Sequence, residues 1–201
     1  ERFAPQPRDE VLRASLGLSG SYVLGYVSNL SHPREGQETM IAALPKIRAT
    51  GIPAKVLLVG DGARRQQLEA LARKLGVADH VVFTGSIPFD QVSAYYAQID
   101  LFVVPRTNER AGRLVSPMKP FEAMAMEIPL LVSDLPALVE IVADDVEPRG
   151  FFYRAEDADD LARVAIACLQ EPAAMQHRAR SAAEWVRRER TWAANGRNFV
   201  A

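Results

Sequence analysis

The fold is decided by one short apolar run, Tyr22-Val23-Leu24-Gly25-Tyr26-Val27, and by the pattern that follows it. Apolar residues recur at helical spacing from Glu38 to Ala49, and Gly51 then marks the end of a helix. A second short apolar run occupies residues 54–59. A short apolar strand, an amphipathic helix and another short apolar strand form the repeating unit of a parallel sheet.

The same alternation continues through most of the chain. Because the strands are short and continuously apolar, we expect them to be buried on both faces by helices. The sequence therefore predicts an α/β protein with a doubly wound parallel sheet, Rossmann-like, in a single domain. Further strands are predicted at 80–84, 101–104, 130–132 and 151–152, and helices at 63–75, 90–98, 120–126, 135–142, 157–170, 173–188 and 190–200, with a polar loop at 106–113. Residues 1–20 are predicted to be a linker with a short helix at 9–16, and residues 21–201 to be the domain itself.

Composition excludes several classes of protein. The formal charge of −1 over 201 residues excludes the broad basic surface of a non-specific nucleic-acid binder, so no nucleic-acid partner is expected. The single cysteine, Cys168, excludes an intrachain disulfide and a cysteine-based zinc site. No apolar run approaches the roughly 20 residues that span a bilayer, and no signal peptide is visible. Because the chain opens Glu1-Arg2-Phe3 rather than with Met, we expect it to be part of a longer polypeptide. We expect that polypeptide to be cytoplasmic.

Ligands of doubly wound sheets bind at the carboxyl ends of the strands, near the point where the strand order reverses. The loops at those ends are residues 28–36, 60–62, 85–88 and 105–119. In the first loop, Gly36 lets backbone approach a ligand, and Arg34 offers a forked cation suited to phosphate. The alternative is an ordinary surface loop with a solvated arginine. The loop has neither the Gly-x-Gly-x-x-Gly nor the Walker A pattern.

The stretch 114–126 is the most informative. Pro120 suits the first turn of a helix, so a helix is predicted to begin there. The main-chain N–H groups of Leu114, Val115 and Ser116 would then precede a positive helix end and could bind a diphosphate, with Lys119 reinforcing them. Glu122, in the first turn, could accept two hydroxyls of a ribose. The alternative is that Lys119 and Glu122 pair on a helix surface.

Other kinds of site find little support in the sequence. His32, His80 and His177 are scattered and lack carboxylate or cysteine neighbours at ligand spacing, so no metal site is predicted. The Gly-x-Ser-x-Gly pattern of a nucleophilic serine is absent.

Several stretches together resemble the C-terminal domain of the retaining GT-B glycosyltransferases of family 4, and the resemblance covers nearly the whole chain. Their order and spacing carry it more than any single stretch does. They are 56–62 (Val-Leu-Leu-Val-Gly-Asp-Gly), 82–88 (Val-Phe-Thr-Gly-Ser-Ile-Pro), 114–126 with Pro129 and Ser133-Asp134, the closing 184–186 and 191–192, and the linker-like 3–5.

The resemblance implies a fold, an activity and a set of site residues. The fold is one half of a GT-B fold, and the activity is transfer of a sugar, with retention, from a nucleotide diphosphate sugar to a glycan or lipid-linked acceptor, without a cofactor or metal. A UDP-sugar is the expected donor, and a bacterial surface polysaccharide or related glycoconjugate the expected product. Arg34 and Lys119 would act on the diphosphate as catalytic cations, and Glu122 would bind the ribose. Leu114, Val115 and Ser116 would hold the diphosphate, while Gly85, Ser86 and Ile87 would contact the base through main chain.

The resemblance also implies partners, and it leaves alternatives open. An N-terminal acceptor domain would complete the enzyme, and the parent protein would be peripheral at the inner face of a membrane. The sequence departs from the family at Leu114, where an acid is usual, at Asn29 and Ser31, where a cation is expected, and at Glu127, which replaces a common glycine. The alternatives are a non-catalytic nucleotide-sugar-binding module and a GT-B-like sugar-nucleotide epimerase. A receiver-like domain is disfavoured by Asn29 and Ser31.

Overall fold

The computed structural model describes residues 3–144 and 147–190. The strands are β1 (Tyr22–Val27), β2 (Ala54–Val59), β3 (Val81–Phe83), β4 (Leu101–Val104), β5 (Leu130–Ser133) and β6 (Phe151–Tyr153). The helices are α1 (Glu10–Ser15), α2 (Gln37–Ala49), α3 (Arg65–Lys74), α4 (Val92–Tyr96), α5 (Arg110–Leu114), α6 (Lys119–Ala125), α7 (Pro136–Val142), α8 (Ala158–Gln170) and α9 (Pro172–Glu189).

One sheet of six strands organises the molecule, in the order β3-β2-β1-β4-β5-β6. All five strand pairs are parallel. The chain runs outward from β1 to β3, then returns to the centre and runs outward again from β4 to β6. The order therefore reverses between β1 and β4, which is where doubly wound folds bind their ligands. This confirms the predicted fold class.

The central strands are buried as their composition predicts. Every residue of β4 and β5 is buried, as are all of β2 except Lys55. Helices supply the cover: α2 packs against α3 and α8, while α6 packs against α9. Gly25 is required in β1, because a Cβ there would lie 2.3 Å from a side-chain carbon of Ile99.

The segment before the sheet is fixed to it. The Asp9 side chain caps α1 by accepting hydrogen bonds from the N–H groups of Val11 and Leu12. The buried guanidinium of Arg13 donates to the carbonyls of Gln98 and Ser21, at 2.9 and 2.6 Å. The division of the chain at residue 20 stays a prediction.

The predicted loop 106–113 is wrong in part, because α5 occupies Arg110–Leu114. Tertiary packing fixes this short helix: Gly112 lies so close to the Thr107 carbonyl oxygen that a Cβ would be 2.3 Å from it. A glycine-containing polar segment carries no helical signal in sequence. The helical tail predicted at 190–200 lies outside the described residues except for Arg190, which follows the end of α9.

Candidate functional site

A cleft of about 280 Å³ opens at the carboxyl ends of β1, β2 and β3 and reaches the start of α6. It contains loop residues from both halves of the sheet, as the reversal of strand order requires. Its lining is Val27, Ser28, Asn29, Val59, Gly60, Asp61, Ser86, Ile87, Val92 and Lys119.

At the floor of the cleft, Gly60 allows the loops after β1 and β2 to approach each other closely. Gly60 has φ +134°, and a Cβ there would lie 2.0 Å from the Ser28 carbonyl oxygen. The loop after β3 closes over the same point, since the Gly60 N–H donates to the Thr84 hydroxyl and Gly60 forms a bridge with Gly85. Three loops therefore meet at the cleft floor.

The loops after β1 and β4 are also held against each other. Gly36 has φ +64°, and a Cβ there would lie 1.8 Å from the Pro105 carbonyl oxygen. Next to this contact, the Thr107 N–H donates to the Arg34 carbonyl at 3.0 Å. These two contacts span the position where the strand order reverses.

The loop after β1 carries a buried carboxylate, Glu35. Glu35 accepts a hydrogen bond from the Tyr26 hydroxyl at 2.5 Å. The Arg34 Nε donates to the same carboxylate at 3.3 Å, and a guanidinium nitrogen of Arg106 lies 3.9 Å from it. Burial, followed by the charge of Glu35, raises the pKa of Tyr26 well above its ordinary value, so the hydroxyl keeps the proton it donates.

Arg106 connects this cluster to the next loop. Its side chain is buried, and one guanidinium nitrogen donates to the Val115 carbonyl at 2.7 Å. Its Nε–H has no hydrogen-bond partner among residues 3–144 and 147–190.

A second tyrosine holds a second carboxylate. The Tyr96 hydroxyl donates to Glu122 Oε2 at 2.6 Å. The Tyr96 ring is fully buried, stacked on Phe102 at 5.2 Å and met edge-on by Phe3 at 5.5 Å. Burial and the charge of Glu122 raise the pKa of Tyr96 above its ordinary value, so this tyrosine also remains a donor. Glu122 is half-buried, with one carboxylate oxygen fixed in this way.

The structure brings only some of the predicted residues into the cleft. Ser86, Ile87 and Lys119 line it, and Gly85 forms a bridge with the lining residue Gly60. Arg34 lies outside the lining, with its guanidinium on Glu35. Glu122 lies one helical turn beyond Lys119 on α6 and accepts a hydrogen bond from Tyr96, whereas the alternative interpretation of the sequence paired it with Lys119.

The segment 114–116 differs from its prediction in one respect. Leu114 ends α5, and the Val115 N–H donates to the Ala111 carbonyl at 3.1 Å, so that amide is already engaged. The Ser116 N–H has no partner within the described part of the chain, and Ser116 is exposed. The Val115 amide is therefore engaged within the chain in this structure, and the role of 114–116 in binding a diphosphate stays a prediction.

Four further polar residues of this site went unrecognised in the sequence: Tyr26, Glu35, Tyr96 and Arg106. The tyrosines read as core aromatic residues, and Arg106 as part of a polar loop. Only the fold brings Glu35 to Arg106 and Tyr96 to Glu122, so no local spacing could have revealed either pair.

The described ranges lack two kinds of feature. Residues 3–144 and 147–190 hold no group of three or more His, Cys, Asp or Glu side chains placed to bind a metal ion. The helices of those same ranges include none whose length and hydropathy would let it cross a bilayer.

Comparison with known proteins gives consistent matches. Residues 21–171 match the family described as "Glycosyl transferases group 1". A GDP-mannose-dependent alpha-(1-6)-phosphatidylinositol monomannoside mannosyltransferase of Mycolicibacterium smegmatis is 35% identical over 147 residues, covering 72% of this chain and 38% of that protein.

Solved structures agree with this match. A sucrose-phosphate synthase from Thermosynechococcus elongatus superposes with a TM-score of 0.77 at 28% identity, over 92% of this chain and 45% of the other. Anabaena HepE, solved with UDP and glucose, superposes with a TM-score of 0.78 at 24% identity, over 91% of this chain and 48% of the other. The chain thus spans less than half the length of each of these proteins. Because the family match includes every strand of the sheet, the chain belongs to the group 1 glycosyl transferases.

Proposed function

We propose that this chain binds the donor of a retaining glycosyltransferase that moves a sugar from a nucleotide diphosphate sugar to a glycan or lipid-linked acceptor. The observation that carries the proposal is the cleft at the reversal of strand order, with Lys119 in its wall and the tyrosine-held carboxylate of Glu122 one helical turn further on. An ammonium and a fixed carboxylate at that spacing suit the diphosphate and the pentose of one nucleotide.

The nucleoside end of the donor is assigned to the first half of the sheet. Ser86 and Ile87 line the cleft beside the ends of β1 and β2, where a base can lie against main chain. The Tyr96 hydroxyl fixes one oxygen of Glu122, so the carboxylate keeps one orientation in which to accept hydrogen bonds from two ribose hydroxyls. A UDP-sugar remains the proposed donor, and the GDP-mannose dependence in the mycobacterial relative's name makes guanosine the base to test beside uridine.

The diphosphate is assigned to the start of α6. Negative charge develops on the departing diphosphate during transfer, and fixed cations and N–H donors that face it lower the barrier. Lys119 in the cleft wall and the free Ser116 N–H are the groups of this chain placed for that task. Arg34, at the mouth of the adjacent loop, is half-exposed and can leave Glu35 for the diphosphate.

The acceptor and the stereochemistry complete the proposal. Since the chain spans 38% of the mycobacterial relative, we assign acceptor binding to a further domain of the parent protein, peripheral to a membrane. Among the described residues that line the cleft, the one carboxylate is Asp61, whose Oδ1 accepts a hydrogen bond from the Gly62 N–H. Front-face attack by the acceptor hydroxyl is therefore the proposed route to retention.

Calorimetric titration of the chain with UDP, GDP and ADP tests donor binding. We expect one of the three to bind and its 2′-deoxy analogue to bind more weakly, because Glu122 would lose one hydroxyl partner. The variant Glu122→Gln should lose about tenfold in affinity and with it the preference for the ribose form. Glu184→Gln, an exposed glutamate of α9, is the matched control and should behave as the parent chain does.

Absence of binding by a folded chain to any of the three nucleotides would contradict the proposal. Transfer by the whole protein, followed by NMR of the product's anomeric proton, tests retention. Nucleotide binding by the whole protein without transfer would favour the non-catalytic binding module instead. Leu114 bears on that alternative, because it is neutral and 69% exposed where the family usually has an acid.

A further inference from the structure

We propose that Arg106, held in place by Glu35, is a positioning residue that sets the conformation of the loop 115–118 for the diphosphate. The inference rests on the proposed function and assigns a role to two residues that neither the sequence motifs nor the family match single out. It is carried by a continuous chain of polar contacts between the two halves of the site.

The first step is the contact between Arg106 and the loop. One guanidinium nitrogen donates to the Val115 carbonyl at 2.7 Å, and this is the residue immediately before the free amide of Ser116. The carbonyl of Val115 and the N–H of Ser116 belong to one planar peptide unit. Fixing the carbonyl therefore fixes the direction of the N–H that the proposed function gives to the diphosphate.

The second step is what holds Arg106. Arg106 is 7% exposed, and its guanidinium lies 3.9 Å from the buried carboxylate of Glu35, which in turn accepts a hydrogen bond from the Tyr26 hydroxyl at 2.5 Å. Tyr26 projects from the central strand β1 and packs edge-on against Phe102 of β4. The guanidinium is thus anchored to the most buried part of the sheet.

The third step concerns cost. Burying a guanidinium whose Nε–H has no partner among the described residues is unfavourable, and an aliphatic side chain would fill the same space at a lower desolvation cost. The residue also sits between Pro105, against which Gly36 packs, and Thr107, which binds the Arg34 carbonyl. Arg106 therefore couples the two phosphate-facing loops at the reversal point of the sheet.

The structure offers a matched control at the amino-terminal ends of β1 and β4, at the opposite end of the strands from the cleft. Arg13 is likewise buried, donates to the main-chain carbonyls of Gln98 and Ser21, and pairs with the carboxylate of Asp100 at 3.3 Å. Arg13→Lys and Arg106→Lys both keep the charge and both lose the planar fork that can hold a carbonyl and a carboxylate together. Both should lower stability, but only the second touches the loop.

The test is calorimetric titration of the 201-residue chain and its variants with UDP and UMP, and with GDP and GMP. We expect Arg106→Lys to lower the ratio of diphosphate to monophosphate affinity by about tenfold, the equivalent of one charge-assisted hydrogen bond. Monophosphate affinity should change little, because the base and ribose are held elsewhere. Arg13→Lys should leave the ratio at the value of the parent chain.

A second variant, Glu35→Gln, keeps the inference testable if Arg106→Lys fails to fold. Removing this charge makes the cluster more positive, so a purely electrostatic role would raise the ratio, whereas loss of positioning lowers it. A lowered ratio supports the inference; a ratio that is unchanged or raised overturns it. If the parent chain binds no nucleotide, the proposed function fails together with the inference. If it binds the diphosphate, and the ratio of diphosphate to monophosphate affinity is the same in all variants, the inference alone is overturned.

Discussion

Replacing Gly36 by alanine tests the close approach of the loops after β1 and β4. Gly36→Ala must place a Cβ 1.8 Å from the Pro105 carbonyl oxygen at a φ of +64°. The left-handed backbone costs an alanine about 1–2 kcal/mol, and forcing the Pro105 backbone aside adds about 1–3 kcal/mol. We expect the free energy of unfolding to fall by about 2–5 kcal/mol in total.

Gly76→Ala separates these two contributions. Gly76 follows α3 at a φ of +69°, and a Cβ there meets no atom within 4 Å. This variant should lose only the backbone contribution of about 1–2 kcal/mol. Urea denaturation followed by circular dichroism gives both values, with unchanged slopes as the check that unfolding remains comparable.

The pair also has a functional readout. Displacing Pro105 moves the segment that carries Arg106 and Thr107, so Gly36→Ala should weaken nucleotide diphosphate binding at temperatures where it is fully folded. Gly76→Ala should not. Equal losses of stability in the two variants, to within about 0.5 kcal/mol, would refute the close approach.

Three further outcomes follow from particular side chains. Glu127 has a φ of 57°, and its ion pair with Arg187 at 2.8 Å is half-exposed, so Glu127→Gly should raise the free energy of unfolding by about 0.5–1 kcal/mol in urea titrations; a decrease would contradict the strain. Burial raises the pKa of the Cys168 thiol to about 12, so labelling by a thiol reagent at pH 8 should be slower than in the denatured chain by on the order of a thousandfold, and comparable rates would show the thiol to be accessible. The Arg154 N–H, at 2.7 Å from the Asp160 carboxylate, lowers the pKa of Asp160 below its ordinary 3.8, so the stability that Asp160→Asn removes should be present above pH 3.8 and vanish as the pH falls through the lowered pKa; a difference independent of pH would refute this.

The central strands could be predicted from the sequence to the residue. The predicted 22–27, 54–59 and 101–104 coincide with β1, β2 and β4, because continuous apolar runs between helical patterns have few other ways to be buried. The edges of the sheet were less well determined: the predicted 80–84 shortens to β3, which forms its hydrogen bonds with one neighbour only.

The site was predictable where its residues adjoin a strand end or a helix start, and not where they meet across the fold. Ser86, Ile87 and Lys119 follow from their places in such segments and do line the cleft. The hydrogen bond between Tyr96 and Glu122 joins residues 26 positions apart on two helices, so only tertiary packing brings them together. Whether the predicted residues bind a donor stays a prediction.

The edge-on contact between Phe3 and Tyr96 connects the amino-terminal segment to Glu122, the carboxylate that we propose binds the pentose. The Tyr96 ring lies flat against Phe102, with an interplanar angle of 8°, so it cannot tilt without parting from that stack. Phe3 thus contacts the ring whose hydroxyl donates to Glu122. A displacement of this segment at Phe3 would therefore act on the carboxylate to which we assign the ribose.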